Sequence, residues 1–324
     1  MSSQVTEPTG TTLLWLALGP KTFGDAEKLG RGLQQMIAED VALRMRSDAA
    51  TGEVIIGAVD DQHLEVIVDR LSREFGVEAT CGRPQVAYKE TITRPADGEA
   101  ACERTGGLEP SGHVRMHLSP GARGSGYVFE GHLAGGVLPE ALIRAVDNGI
   151  RDALSVGPVQ GYPVDDVHVE LWAGSYHDAD STEDGFRSAA SIAFQKAAGK
   201  AGPVVLEPAM RLDVVVPTAF IDDVMQNIEC RRGHIQSRED RVETQVIRAR
   251  VPLADLFGYA TDLRSRTYGR GTYSVQFEQY VPVSPPASDN DRDALVGAPL
   301  KPAPKLRESG VALPEPGDLP GDAV

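Results

Sequence analysis

The chain has 324 residues, of which 41% are hydrophobic and 24% charged, which is ordinary for globular proteins and enough material for two or three domains. Its formal charge of −15 excludes a protein that coats nucleic acid through an overall basic field. No apolar run approaches the roughly 18 residues that cross a bilayer, no signal-peptide core follows the N-terminus, and Cys81, Cys102 and Cys230 lie far apart with no C-x-x-C spacing. A cytoplasmic protein with no membrane partner, no disulfide framework and no bound cofactor is expected.

Residues 1–10 carry no periodicity and read as a loose leader. Leu13 to Leu18 reads as a short buried strand, and Thr22 with Asp25 as a capping box for a helix with Leu29, Leu33, Met36 and Ile37 on one face. Val41, Leu43 and Met45 alternate as a second strand, Ala50 to Gly52 is a turn, and Val54 to Ala58 is a third strand. Leu64, Ile67, Val68, Leu71 and Phe75 stripe a second helix, which Gly76 closes in a left-handed cap before a strand over Val77 to Cys81. The order is βαββαβ.

The middle of the chain, about 84–207, is expected to hold strands near Val86 to Thr93, His113 to Leu118 and Tyr127 to Leu133, with Gly106 to Gly112 as a loop between the first two. A helix follows Pro139, with Leu142, Ala145, Val146, Gly149, Ile150, Ala153 and Leu154 on one face. Val167, Val169 and Leu171 then alternate as a strand, Gly174 to Asp180 is a loop, and Ser181 with Asp184 resembles a capping box. The helix it opens buries Phe186, Ala189, Ala190, Ala193, Phe194 and Ala197. The strand and helix hold still a polar loop that a partner can meet.

Residues 208–283 repeat the βαββαβ order. Leu212, Val214 and Val216 form a strand; Phe220, Val224 and Ile228 mark a helix ending before Gly233; strands near Ile235 and over Val246 to Val251 follow. A helix from about Leu256 to Thr267 and a strand through Tyr273, Val275 and Phe277 complete it. From Pro282 onward there are nine prolines and no apolar period, so 284–324 reads as a disordered tail. The fold class is therefore α+β, with two ferredoxin-like βαββαβ domains (11–83 and 208–283) flanking a different α/β domain (84–207).

Charge is distributed unevenly. Lys+Arg against Asp+Glu is 10 to 17 over 84–207 but 10 to 10 over 208–283, where every positive charge is an arginine. Arginine's planar fork suits phosphate. Arg231, Arg232, Arg264, Arg266 and Arg270 come from a helix end and a helix-strand turn of one unit; from spacing alone, a phosphate-facing patch and a solvated rim are equally good readings. His177 with Asp178 and Asp180 reads as a solvated loop before a helix, with a metal cluster or acid/base pair as the lesser alternative, because no further ligand set is in view. The remaining histidines are scattered in sequence.

Several long words in fixed order resemble bacterial elongation factor G. They are Gly82-Arg-Pro-Gln-Val-Ala-Tyr-Lys-Glu-Thr91, Gly135-Gly-Val-Leu-Pro139, Gly157-Pro-Val-Gln-Gly-Tyr-Pro-Val164, Gly174-Ser-Tyr-His-Asp-Ala-Asp-Ser181 and Leu256-Phe-Gly-Tyr-Ala-Thr-Asp-Leu-Arg264. The resemblance spans about residues 11–283 and the third to fifth domains of that factor. It implies a ribosomal protein S5 domain 2-like fold for the middle domain, whose tip would enter the ribosomal decoding centre. It also implies a last domain that packs on ribosomal RNA. The residues it carries over to RNA are Gly106, Gly107, His113, Ser175, Tyr176, His177 and Asp178 at the tip, with His177 toward the messenger and transfer RNA pair. To these it adds Arg231, Arg232, Arg264 and Arg270.

Two departures qualify the expectation. No G-x-x-x-x-G-K-[ST] occurs, so the chain is not expected to bind or hydrolyse GTP itself, and a separately encoded GTPase becomes an expected partner. The family's usual Gly-Gly-Arg-Gly-Gln-Tyr-Gly-His tip word retains Gly106, Gly107, Gly112 and His113 but has Leu108-Glu-Pro-Ser111 at its centre. A carboxylate in place of an arginine weakens attraction to a polyanion.

Overall fold

The computed structural model describes residues 12–47, 54–103, 110–131, 138–176 and 181–283. The expected leader (1–10), the Pro-rich tail (284–324), the centre of the first tip loop and residues 177–180 lie outside the described residues.

The first unit runs β1 (Leu14–Pro20), α1 (Phe23–Glu39), β2 (Arg44–Ser47), β3 (Val54–Ala58), α2 (Asp61–Phe75) and β4 (Ala79–Cys81). Its antiparallel sheet has the order β2-β3-β1-β4, the ferredoxin-like arrangement expected. The capping signals are realised: Thr22 Oγ1 accepts from the Asp25 N–H at 3.2 Å, and Gly76 takes φ 59° with its N–H on the Leu71 carbonyl. Strand β2 starts three residues later than the alternation suggested. Asp40 turns the chain first, accepting the Ala42 N–H on its carboxylate at 2.8 Å and the Leu43 N–H on its carbonyl at 3.2 Å.

The expected single strand over Val86 to Thr93 is instead two short ones that belong to different sheets. β5 (Gln85–Val86) pairs with β1, and β6 (Lys89–Ile92) pairs with a strand of the last unit. The middle unit then runs β7 (Ala96–Glu103), β8 (Pro110–Pro120), β9 (Tyr127–Gly131), α3 (Glu140–Leu154), β10 (Val167–Ser175) and α4 (Glu183–Lys200). Its sheet order is β7-β8-β10-β9, with β9 and β10 parallel. Helices α3 and α4 cover one face. The contact is so close that a Cβ on Gly98 of β7 would sit 2.2 Å from the Ala193 carbonyl oxygen, and one on Gly149 of α3 2.2 Å from that of Arg187.

Three further differences arise here. β7 lies where the sequence assigns no element; β8 begins at Pro110, inside the expected Gly106–Gly112 loop; and β10 continues to Ser175 through an irregularity at Trp172. The cap of α4 is Thr182, whose Oγ1 accepts the Gly185 N–H at 3.0 Å, one residue after the Ser181 expected.

The last unit contains β11 (Pro203–Pro217), α5 (Ile221–Cys230), β12 (His234–Asp240), β13 (Thr244–Pro252), α6 (Leu253–Leu256), α7 (Tyr259–Arg266) and β14 (Thr272–Pro282). The sheet order β12-β13-β11-β14 is again ferredoxin-like. The helix expected over 256–267 is broken at Phe257-Gly258, where Gly258 takes φ 73°. The first and last units share a core: Met210 and Leu253 are buried with Leu14, Leu29 and Leu71, and Val275, Phe277 and Tyr280 pack against them.

The segment carrying β5 and β6 fastens all three units. Tyr280 donates its hydroxyl to the Ala87 carbonyl at 2.9 Å, and Lys89 pairs with Asp165. Glu90 is fully buried, and its carboxylate accepts the backbone N–H groups of Val159, Gln160, Gly161 and Tyr162 at 2.8–3.2 Å. A charge taken from water survives only with such compensation.

Candidate nucleic-acid interface

The fold divides the five arginines singled out in the last unit, Arg231, Arg232, Arg264, Arg266 and Arg270, into two groups. Arg232 forks onto Glu207, with Nη1 and Nη2 donating to its two carboxylate oxygens at 2.8 and 3.0 Å, while Nε donates to Asp255 at 2.8 Å. Glu207 is 2% exposed, so this is a buried bridge between the corner after α5 and β11. Arg231 donates to Asp262 at 3.1 Å and to Asn227 at 3.3 Å, and lies 5.4 Å from the centre of the Tyr259 ring. Arg266 spans Asp262 and Asp223 at 3.0 and 2.8 Å. Burial pushes the Asp262 carboxyl upward, but hydrogen bonds from Arg231, Arg266 and Asn227 outweigh it and hold the group below its ordinary value.

Arg264 and Arg270 are exposed, and among the described residues no carboxylate pairs with either. Arg270 lies over the Phe220 ring at 4.6 Å. These two cations stand on either side of a turn fixed by Thr267. Its buried hydroxyl donates to the Leu263 carbonyl at 2.7 Å and accepts the Gly271 N–H at 2.9 Å.

At the other end, Gly106, Gly107, His177 and Asp178 lie outside the described residues. The strands that lead to them place His113 of β8 beside Ser175 of β10, Nδ1 to Oγ 3.0 Å, with Nε2 3.0 Å from Glu99 of β7. Tyr176 follows as an exposed ring. The sheet face not covered by helices gathers what sequence scattered. His113 and His117 from β8 and His168 from β10 each meet a carboxylate, from Glu99, Asp97 and Glu130 respectively. His117 stacks on Trp172 with centres 4.6 Å apart and planes 3° from parallel, and the indole N–H donates to Glu170 at 2.9 Å. Among the described residues no group of three ligating side chains is placed to hold a metal ion.

The family model for elongation factor G, domain IV matches residues 84–202, that for the elongation factor G C-terminus matches 204–290, and that for elongation factor G, domain III matches 10–83. The chain belongs to the elongation factor G family. The crystal structure of ttk003000868 from Thermus thermophilus is similar at 33% identity and a TM-score of 0.66, with 91% of this chain and 43% of that one covered. The chain thus spans less than half the length of that relative.

In elongation factor G terms, the free arginines lie on the C-terminal domain and the histidine and tryptophan face on domain IV. Sequence reading did not single out Phe220 or Trp172. Trp172 carried a signal, since an aromatic at an outward position of an alternating strand is unburied by the pattern. Phe220 carried a misleading one: it was assigned to the buried stripe, whereas Ile221 fills that place and Phe220 sits half-buried under Arg270.

Proposed function

We propose that this elongation factor G-type chain binds the ribosome at the translation factor site, working in translocation or recycling with a separately encoded GTPase or acting there as a regulator. The domain limits proposed are 11–83, 84–207 and 208–283. The observation that carries the reading is the pair Arg264 and Arg270, the two cations of the last unit's five-arginine set left without a carboxylate among the described residues. Unpaired exposed arginine keeps its full charge for phosphate, whereas Arg231, Arg232 and Arg266 already share theirs with Asp262, Glu207, Asp255 and Asp223. Ribosomal RNA is the partner at this turn. The messenger and transfer RNA pair is the partner at the tip, through His113, Ser175, Tyr176, His177 and Asp178 with Gly106 and Gly107.

Cosedimentation with ribosomes at graded salt tests this. Wild type pellets at low salt and is released as salt rises; Arg264→Glu with Arg270→Glu removes most binding, and each lost phosphate contact flattens the log–log salt slope by about 0.7–0.9. His177→Ala changes binding little, because the acidic middle unit contributes least attraction. No pelleting at low salt would refute the reading.

A second reading is a protein-interaction module with no direct part in translation. It is favoured by the open face of the middle sheet, where Glu170 accepts from the exposed Trp172 and Asp97, Glu99 and Glu130 pair with His117, His113 and His168. Affinity purification dominated by one non-ribosomal protein, lost in Trp172→Ala, would decide for it.

A further inference from the structure

Among the described residues three that are not glycine hold left-handed backbone: Asp166 at φ 56°, Arg232 at φ 54° and Tyr268 at φ 51°. Such backbone is costly for any residue with a Cβ and persists where surrounding structure over-determines it. Two of the three spend their side chains internally. The Asp166 carboxylate accepts the Gly126 N–H at 3.0 Å, and Arg232 closes the buried fork on Glu207 and Asp255.

Tyr268 differs. Its side chain is 81% exposed and touches the rest of the unit through an edge contact with Phe220, ring centres 6.0 Å apart and planes at 61°. The backbone beneath it is pinned without help from the ring. Thr267 N–H bonds the Leu263 carbonyl, Gly269 N–H the Arg264 carbonyl at 2.8 Å and Arg270 N–H the Thr267 carbonyl at 3.0 Å, in addition to the two bonds of the buried Thr267 hydroxyl. A rigid turn therefore presents a large flat ring to solvent, with an unpaired arginine before it in the helix and another two residues after it. The acidic residue nearest by chain, Asp262, is already engaged by Arg231 and Arg266, and Asp223, three residues past Phe220, by Arg266 at 2.8 Å.

We infer that Tyr268 is a stacking platform for one unpaired RNA base, with Arg264 and Arg270 taking the flanking phosphates and Phe220 steadying the ring from its edge. The inference rests on the RNA-binding reading above and narrows it to a loop or bulge. A base inside a duplex has no free face, whereas an unstacked base offers the ring its π-surface and the arginines its backbone. An acidic peptide would satisfy the arginines but would gain nothing from a planar ring.

The test uses the full chain and an RNA stem-loop with 2-aminopurine in its unpaired loop, beside a blunt duplex of equal charge. Wild type quenches the loop fluorescence and binds the loop more tightly than the duplex. Tyr268→Ala loses the quenching and about tenfold in loop affinity, with duplex affinity unchanged; Tyr268→Phe keeps both. Tyr268→Gly, whose backbone suits φ 51°, melts no lower than wild type and binds like the alanine variant, which separates lost stacking from lost folding. Equal loop binding with and without the ring overturns the platform and, if ribosomes still pellet the chain, leaves the ribosome reading standing. Ring-dependent loop binding by a chain that ribosomes do not pellet supports the platform and overturns the ribosome reading. A glutamate-rich peptide bound as tightly as the loop and as dependent on Tyr268 overturns the assignment to RNA.

Discussion

Arg232 and Tyr268 solve the same local problem in the same unit. Each stands just past a helix, α5 or α7, in left-handed backbone, and each is followed by a glycine. Beyond that the two corners part. At the first, β11 and α6 bring Glu207 and Asp255 to the arginine, and the corner is sealed; at the second no carboxylate of the described residues arrives, and ring and arginines are exposed. Equal numbers of arginines and acids over 208–283 therefore say little about where charge is available. What decides is which strand lies under each corner.

The widest separation between the corners is in stability. Arg232→Ala leaves Glu207 buried without its fork and is expected to cost about 3–5 kcal/mol, whereas Arg264→Ala stays within about 0.5 kcal/mol. Urea unfolding of the two variants measures this, and a loss under about 1 kcal/mol for Arg232→Ala would dissolve the contrast.

A somewhat smaller effect is expected at Glu90, the other sealed charge. Glu90→Ala orphans four amides at once and is expected to cost about 2–4 kcal/mol. Amide exchange at residues 159–162 should accelerate; unchanged protection there would show that the loop holds itself.

The smallest effect concerns Asp262, between the sealed and open corners. Its carboxyl is held below the ordinary 3.8, so the stability it contributes is complete above that value and is lost as pH falls below it. Asp262→Asn should be about 1 kcal/mol less stable than wild type near pH 7, with the gap closing toward pH 3. A gap that widened in acid would reverse the sign assigned to this group.

Helices were the most legible part of the sequence, because a stripe and a cap are both local. Thr22, Gly76 and the face of α3 could be placed from neighbours within a few residues. β7 was not legible, for a reason the packing supplies. Ala96, Gly98, Ala100 and Cys102 face α4, which comes too close for larger side chains, so the strand lacks the branched residues that announce one. β5 and β6 read as one strand because the eight consecutive residues Val86 to Thr93 give no sign that the chain changes sheets between them. The candidate site was legible as a set of arginines but not as a division among them. Arg232 meets a carboxylate 25 residues before it and another 23 after it, and no spacing rule reaches that far.

β6 enters the middle unit and β11 leaves it, and the two are hydrogen-bonded neighbours, Ile92 beside Pro203 and Lys89 beside Leu206. The middle unit is thus a cantilever rooted mainly in this strand pair, with Arg123 donating to the Tyr280 carbonyl at 3.1 Å beside it. A load applied at its far end, near Ser175, arrives at the root as torque, and two adjacent strands resist bending within the sheet far better than twisting about their own axis. Glu90, gripping the 159–162 loop from inside the stalk, and Lys89, tied to Asp165, are the torsional brace. Their position at the root, where a small restraint governs the largest displacement of the tip, makes this short segment the one that sets how faithfully a push on the tip is felt by the other two units.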